Sequence, residues 1–202
     1  MIKVWGIFAL TIPFSVFSQS VPIPAPPQLG SESYMLMDFL TGHVIAESSP
    51  DEILEPASLT KLMTAYAAFK ALEQGQISLD DQVYVSEKAW RTDGSRMFIE
   101  VGTYVSVEDL FRGMIIQSGN DASVALSEHV AGSEEAFAGL MNQHAQLLGM
   151  SSSSFRNSTG LPDVDHYTTA RDTAVLTRAI IAEFPSYYSW YSERDFTYND
   201  IT

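Results

Sequence analysis

The sequence predicts an α/β fold of the α+β type, in which helices pack on an antiparallel sheet. A hairpin near residue 33 is the first indication, because residues 33–38 and 42–47 are strand-like and a short turn at 39–42 separates them. Apolar helical segments with start and stop signals are the second indication, and they occupy most of the chain that follows. One hairpin is a marginal sheet by itself. We therefore expect this fold to need further strands.

Five helices are predicted, in chain order. The first begins near Ser58, ends before Gly75 and is apolar on nearly every side, so we expect it to be buried. Capping sequences that start at Ser106 and Thr169 open the second and the last helix. The five predicted ranges are 58–73, 106–116, 121–130, 134–148 and a helix from 169 that ends before Pro185.

The segments between these helices are predicted to be mostly irregular. Residues 82–85 have the pattern of a short strand, residues 92–96 form a polar loop, and residues 151–165 form a serine-rich loop. The chain from 187 to 202 is aromatic and polar, and we expect a strand to begin within residues 196–202.

The first 20 residues are predicted to be a secretory signal. Lys3 gives the charged start, residues 4–17 form an apolar run, and Ser18-Gln19-Ser20 fits a cleavage site. An uncleaved anchor is the alternative, but the run is short for a bilayer span and Pro13 interrupts it. The chain contains no cysteine, so an exported protein of this sequence is stabilised by its core without disulfides.

The remaining chain divides into a proline-rich leader at 21–32 and a folded domain at 33–202. The formal net charge of the full 202-residue sequence is −14, from 11 Lys and Arg against 25 Asp and Glu. This charge argues against nucleic acid as a partner and against a broad contact with an anionic membrane. If the substrate is itself anionic, a local cation must hold it.

Ser58 and Lys61 are the first candidate catalytic residues. Residues three apart on a helix project from one face, so the lysine amine is expected beside the serine hydroxyl. A lysine at the start of a buried helix loses water, which lowers its pKa and makes the neutral amine available as a base. A capping serine with a surface lysine is the alternative explanation of this pair.

Ser118-Gly119-Asn120 is the second candidate motif, in a break between two apolar helices. It places a hydroxyl and a carboxamide on a short connection, where they can serve as proton relay and substrate ligand. A simple turn followed by Asp121 as a helix N-cap is the alternative. Both alternative explanations must hold for the functional interpretation to fail.

The two motifs resemble the first two motifs of the serine penicillin-recognising enzymes. The surrounding sequence is similar to one branch of them, the low-molecular-mass D-alanyl-D-alanine carboxypeptidases of the bacterial cell envelope. The stretches that carry this resemblance are residues 34–38, 56–64, 94–98, 117–122 and 160–162. The resemblance covers essentially the whole chain after the predicted signal.

The resemblance implies a role for each candidate residue. Ser58 would attack the carbonyl between the last two D-alanines of a peptidoglycan stem peptide, and Lys61 would accept the serine proton. Ser118 would relay a proton toward the leaving amine, and Asn120 would hold the substrate amide and Lys61. The backbone N–H of Ser58 would be one oxyanion donor. β-Lactam antibiotics would acylate the same serine, and no cofactor or metal is implied.

The chain departs from that family at the third motif, a Lys-Thr-Gly or similar triplet, because no Lys-Thr-Gly occurs in the 202 residues. In the family it supplies the second oxyanion donor and the cation for the terminal carboxylate. We therefore expect residues 33–202 to be a partial catalytic domain, inactive alone, with an active full-length parent. The resemblance further implies a periplasmic protein, held peripherally on the inner membrane through a C-terminal anchor that this chain does not contain.

Other residues offer weaker candidates. His43, His129, His144 and His166 show no metal-ligand spacing, and His166 is interpreted as a loop histidine. Arg96 either borders the cleft or lies on a surface loop.

Two other functions are alternatives to the carboxypeptidase. A β-lactamase would need a carboxylate that drives deacylation, and Glu135 and Asn142 are too far apart to match its pattern. A catalytically silent binding or structural domain would not need Ser58, Lys61, Ser118 and Asn120 together.

Overall fold

The computed structural model describes Met1, Ala25 and residues 29–201. The predicted signal at 2–20 and most of the leader at 21–32 lie outside the described residues. The chain divides into two units, residues 1–30 and 31–202, and every element named below belongs to the second unit.

The first hairpin is confirmed. Strands β1 (Tyr34–Met37) and β2 (Val44–Ser48) pair antiparallel, with Tyr34 opposite Ser48. The turn between them is stabilised by Asp38, whose Oδ1 accepts a hydrogen bond from the backbone N–H of Thr41 at 2.8 Å. Asp is common in turns because its side chain accepts from nearby backbone N–H groups in this way.

A second two-stranded sheet was only half predicted. Strand β3 (Gln82–Tyr84) lies where the sequence indicated one, but it pairs with β4 (Tyr104–Ser106), which was not predicted. The short helix α2 (Glu87–Arg91), capped by Ser86, was also missed. Three to five residues are too few to show a periodic pattern. The predicted α+β class is confirmed, with two small antiparallel sheets.

The five predicted helices are confirmed with small changes at their ends. Helix α1 is preceded by a 3₁₀ turn, so Ser58 lies just before the α-helix, and α4 begins at Asn120 with Gly119 as its N-cap. The alternative in which Asp121 caps that helix is therefore wrong. The bounds are α1 (Thr60–Glu73), α3 (Val107–Ile116), α4 (Asn120–Ala131), α5 (Glu134–Leu148) and α6 (Ala170–Glu183).

Helix α1 lies at the centre, in contact with α3, α4, α5 and α6. Its Phe69 stacks on Phe111 of α3 with ring centroids 4.8 Å apart. Further rings close the core from the short helix α7 (Pro185–Tyr188) and the 3₁₀ turn Ser189–Ser192. Burial of these aromatic rings contributes strongly to stability. The centre of the domain therefore holds the helix that follows Ser58.

The strand predicted within 196–202 is wrong for the residues described. Tyr198 and Ile201 form an isolated bridge around a tight turn, in which Asn199 and Asp200 have positive φ. The preceding segment is tied to α3, because Glu193 pairs with Arg112 and the carbonyl of Phe196 accepts from Gln117 Nε2 at 2.8 Å. None of the helices in the described chain is long and apolar enough to cross a membrane.

Candidate active site

Ser58 is exposed on the 3₁₀ turn Ala57–Leu59, directly before α1. Ala57 has φ of +46°, which is unusual for a residue with a side chain and gives this turn its shape. Gly160 packs against it so closely that a Cβ there would lie 1.8 Å from the carbonyl oxygen of Ala57. Only glycine fits at that position. The turn that presents Ser58 is therefore supported by a loop about a hundred residues later in the chain.

Lys61 is buried, with 6% of its surface exposed, and its ammonium has three partners. Nζ donates to Asn120 Oδ1 at 2.7 Å, to the carbonyl oxygen of Thr159 at 2.8 Å and to Ser58 Oγ at 3.5 Å. Burial lowers the pKa of Lys61 to about 8. About a tenth of the lysine is then neutral at pH 7, against well under a thousandth for an ordinary lysine. The prediction that burial lowers its pKa is confirmed.

Ser118 is in direct contact with Ser58. Its Oγ donates to Ser58 Oγ at 3.1 Å. The residue has φ of +57°, and this strained conformation is held because Ser95 Oγ donates to the carbonyl of Ser118 at 2.6 Å. The structure therefore brings the second predicted serine into contact with the first.

Asn120 is buried at the start of α4, and both the oxygen and the nitrogen of its side-chain amide are hydrogen-bonded. Its Oδ1 accepts from Lys61, and its Nδ2 donates to the carbonyl of Asp93 at 2.6 Å. Gly94 makes room for this amide, because a Cβ there would lie 2.5 Å from Nδ2. The predicted contact with Lys61 is confirmed, while the contact with a substrate amide stays a prediction.

Asp121 fixes the loop that frames this side of the site, a function that the sequence did not indicate. The side chain is fully buried. Its Oδ1 accepts from the backbone N–H groups of Met97 and Ala122, and its Oδ2 accepts from those of Phe98 and Ile99. Four N–H groups around one carboxylate form a strong anchor. The loop 94–99 is thereby tied to the turn that carries Ser118.

Replacement of Asp121 by asparagine should destabilise the protein by about 2–4 kcal/mol. An amide puts an NH₂ group against two backbone N–H donors that now face a carboxylate oxygen. Denaturant unfolding measures the loss, and hydrogen exchange at Met97, Phe98 and Ile99 should become faster. Asp109→Asn is the matched control, since Asp109 is also in the first turn of a helix but is not fully buried. An equal loss in both variants would contradict the anchor.

His166 is not the simple loop histidine that the sequence indicated. It is 3% exposed, and its Nε2 lies 2.8 Å from Thr60 Oγ1. Because its Nδ1 accepts from the backbone N–H of Arg156, Nε2 carries the proton and donates to Thr60. Burial lowers the pKa of His166, so the ring is neutral near pH 7. Through the bond to Thr60, His166 holds the first residue of α1.

The other weak candidates stay outside the cluster. No group of three His, Cys, Asp or Glu side chains in the described part of the chain is placed to bind a metal ion. Arg96 Nη2 donates to the carbonyl of Trp90 at 2.7 Å, and its guanidinium lies over the ring of Phe98. Glu135 forms an exposed ion pair with Lys88, and Asn142 holds the backbone of residue 155.

The fold and this cluster define a class of protein: an α+β domain in which a serine on the turn before a helix and a buried lysine in the first turn of that helix lie next to a second serine and an asparagine. Residues 20–202 match the family model described as D-alanyl-D-alanine carboxypeptidase. The chain belongs to this family, and the resemblance predicted from its motifs is confirmed.

Individual relatives agree with the family. The chain is 45% identical over 181 residues to D-alanyl-D-alanine carboxypeptidase DacC of Escherichia coli (strain K12), covering 87% of this chain and 45% of that protein. Penicillin binding protein 5 from Haemophilus influenzae has a TM-score of 0.86 at 44% identity, covering 88% of this chain and 53% of the other. Penicillin-Binding Protein D2 from Listeria monocytogenes in the ampicillin-bound form has a TM-score of 0.78 at 26% identity, covering 89% and 72%.

These matches show the penicillin-binding protein fold. The chain spans about half the length of the curated relatives it matches.

Proposed function

We propose that the gene product containing this chain is a serine-type D-Ala-D-Ala carboxypeptidase that trims peptidoglycan stem peptides. The observation that carries the proposal is the position of Lys61 Nζ, which contacts Ser58 Oγ, Asn120 Oδ1 and the carbonyl of Thr159 while Ser118 Oγ touches Ser58 Oγ. A buried amine next to an exposed hydroxyl is what a serine nucleophile without histidine requires.

In the proposed acylation, neutral Lys61 accepts the proton of Ser58 Oγ as that oxygen attacks the carbonyl of the penultimate D-alanine. The 3.5 Å separation of the two atoms is long for this transfer, and such contacts commonly shorten when substrate binds. The backbone N–H of Ser58 donates to the oxyanion. The tetrahedral intermediate collapses, the C–N bond breaks, and the leaving amine takes a proton through Ser118.

Deacylation returns the enzyme to its starting state. A water molecule transfers a proton to neutral Lys61 and attacks the ester on Ser58, and the ester C–O bond breaks. The trimmed peptide leaves as a carboxylic acid, and Ser58 Oγ regains its proton. The same ester forms when a β-lactam ring opens on Ser58, and one structural neighbour binds ampicillin. We propose β-lactams as inhibitors of this protein on that basis.

The proposed location is the periplasm, after export by the signal at 1–20, with the whole protein held peripherally on the inner membrane. The acidic composition, without cysteine, is compatible with an exported protein. The expectation that residues 1–202 are inactive alone stays a prediction. Turnover of a D-Ala-D-Ala peptide by this purified chain would contradict it.

Covalent labelling by a fluorescent penicillin tests the proposal. The gene product should be labelled in a denaturation-resistant form, and Ser58→Ala should lose all labelling because the attacking oxygen is gone. Ser186→Ala, at an exposed serine of α7, is the control and should label normally.

The same experiment separates the alternatives. No labelling of the unmodified protein would indicate the catalytically silent domain. Labelling that disappears within seconds, with rapid penicillin hydrolysis, would indicate the β-lactamase.

A further inference from the structure

A buried carboxylate close to the Ser–Lys cluster has no part in the mechanism above. Glu134, in the first turn of α5, is 8% exposed. Its Oε1 accepts from the backbone N–H of Ser158 at 3.0 Å and from Ser158 Oγ at 2.8 Å. Its Oε2 pairs with Lys88 Nζ at 3.0 Å. A helix N-terminus stabilises negative charge, which together with these partners explains why a carboxylate is tolerated there.

The contacts of Ser158 lead from Glu134 to the base. The carbonyl of Ser158 accepts from Thr64 Oγ1 at 2.7 Å, and Thr64 is on α1 one turn after Lys61. The next carbonyl in the chain, that of Thr159, accepts from Lys61 Nζ at 2.8 Å. Ser158 is therefore fixed between α5 and α1, and its neighbour is a direct partner of the catalytic amine.

The internal bonds of this loop shape it but do not place it. Asn157 Oδ1 accepts from the backbone N–H groups of Thr159 and Gly160 and from Thr159 Oγ1, so residues 157–160 form a compact turn. Those bonds move with the turn. The bonds from Glu134 connect the turn to α5, and together with the bond from Thr64 they set where the turn lies relative to α1.

We propose that Glu134 is a positioning residue for the reaction, which holds the Thr159 carbonyl at the distance where it accepts from Lys61. Glu134 acts through Ser158 and Lys61 and touches no substrate. This inference rests on the proposed function, since it assigns Glu134 a role in the same acyl transfer. It also predicts that the hydrogen-bonding oxygen of Glu134 matters and that its negative charge does not.

Two substitutions separate the oxygen from the charge. Glu134→Gln keeps an oxygen that can accept from Ser158 but removes the charge, whereas Glu134→Ala removes both. Lys88→Met removes the ion pair with Glu134, together with the exposed pair to Glu135, and leaves both bonds from Ser158 to Glu134 in place. Because the side chain of Lys88 is 45% exposed, that pair contributes little by itself.

The rate of fluorescent penicillin labelling of the gene product tests the inference. Glu134→Ala should slow labelling by about 10- to 100-fold, since a misplacement of about 1 Å has effects of that order. Glu134→Gln and Lys88→Met should label at nearly the unmodified rate. Melting temperatures show which samples are folded, and rates are compared only among folded samples.

Several results would overturn the inference. An unchanged labelling rate in folded Glu134→Ala would overturn it. So would a labelling rate in Glu134→Gln or Lys88→Met that is as low as the rate in Glu134→Ala. If Glu134→Ala does not fold, Ser158→Ala decides, because it removes one of the two bonds to Glu134 and should slow labelling by a smaller factor. No slowing in Ser158→Ala would then contradict the proposal.

A measurement that does not depend on activity keeps the two proposals apart. Amide hydrogen exchange at residue 158, whose backbone N–H donates to Glu134, should be faster in Glu134→Ala, faster by a smaller factor in Ser158→Ala if that variant is used, and normal in Glu134→Gln. If the unmodified protein takes no label, the proposed function fails, and exchange still decides whether Glu134 holds the loop. Equal exchange in all variants would overturn the positioning role.

Discussion

Lys61→Arg should reduce fluorescent penicillin labelling of Ser58 by about 10³-fold, within the range measured for loss of a general base. Arginine keeps the positive charge but remains protonated at every accessible pH, so it cannot accept the proton of Ser58. Lys61→Met should lose a similar factor, because it removes the amine altogether. The comparison tests whether Lys61 acts as a base or only as a cation.

The pH dependence of labelling follows from the pKa of Lys61, which burial lowers to about 8. Neutral lysine is the reactive form, so the labelling rate should rise with pH and level off above about 8. Stability should respond in the same direction. Below that pH the folded state must bury a charged ammonium, and this cost is relieved between the folded pKa and the ordinary value of 10.5. Lys61→Met should lose this pH-dependent part of the stability.

Lys70→Met is the matched control for both experiments. Lys70 is on the same helix, but it pairs with Glu73 and Glu183 at the other end and its pKa is raised. Its labelling rate and the midpoint of its pH profile should be those of the unmodified protein. Normal labelling of Lys61→Arg would contradict the role of Lys61 as the base.

Gly160→Ala should abolish most labelling, by about 100-fold or more, although the residue has no side chain to take part in chemistry. Its added Cβ would lie 1.8 Å from the Ala57 carbonyl oxygen and 2.9 Å from Thr60 Oγ1. Backbone atoms cannot yield without moving the turn that carries Ser58. The φ of +86° adds strain, and together these effects should cost about 3 kcal/mol of stability.

Gly149→Ala separates strain from contact. Gly149 ends α5 with φ of +80°, and a Cβ there would meet nothing within 4 Å. Gly149→Ala should lower the free energy of unfolding by about 1 kcal/mol, from the backbone conformation alone, and leave the labelling rate unchanged. Denaturant unfolding and labelling of both variants provide the measurement. If Gly160→Ala behaves like Gly149→Ala, the contact with Ala57 does not control the nucleophile.

Much of the fold could be predicted because its signals are local. The cap at Ser106 is confirmed by the bond that its Oγ accepts from the backbone N–H of Asp109, and Gly149 ends α5 as expected. Strand β4 could not be predicted, because three residues carry no period and their partner lies some twenty residues earlier. The strand expected at 196–202 is wrong for the residues described, because the chain turns back at Asn199 and Asp200 and only Tyr198 and Ile201 pair.

The candidate site shows the same division. Side chains that carry chemistry could be found from residue type and spacing, as Ser58 and Lys61 were. The sequence indicated Asp121 only as a helix cap, and nothing in it indicated the Thr159 carbonyl as a partner of Lys61. Every residue has a backbone carbonyl, so a sequence does not show which one binds a side chain. A carboxylate that anchors a loop has the same sequence pattern as any other acid in the first turn of a helix. A cluster of Gly, Asn and Thr at 157–160 was the one available signal of a shaped loop.

The sequence by itself determined that Ser58 and Lys61 lie next to each other at the start of a buried helix, and that a second serine and an asparagine lie where two apolar helices meet. Spacing and apolar composition are sufficient for those conclusions, because they depend on neighbours within a few residues. Only the tertiary structure decided that the Thr159 carbonyl binds Lys61, that Gly160 packs against Ala57, and that Glu134 binds Ser158. These contacts join residues 24 to 103 positions apart, so no pattern of neighbouring residues reveals them.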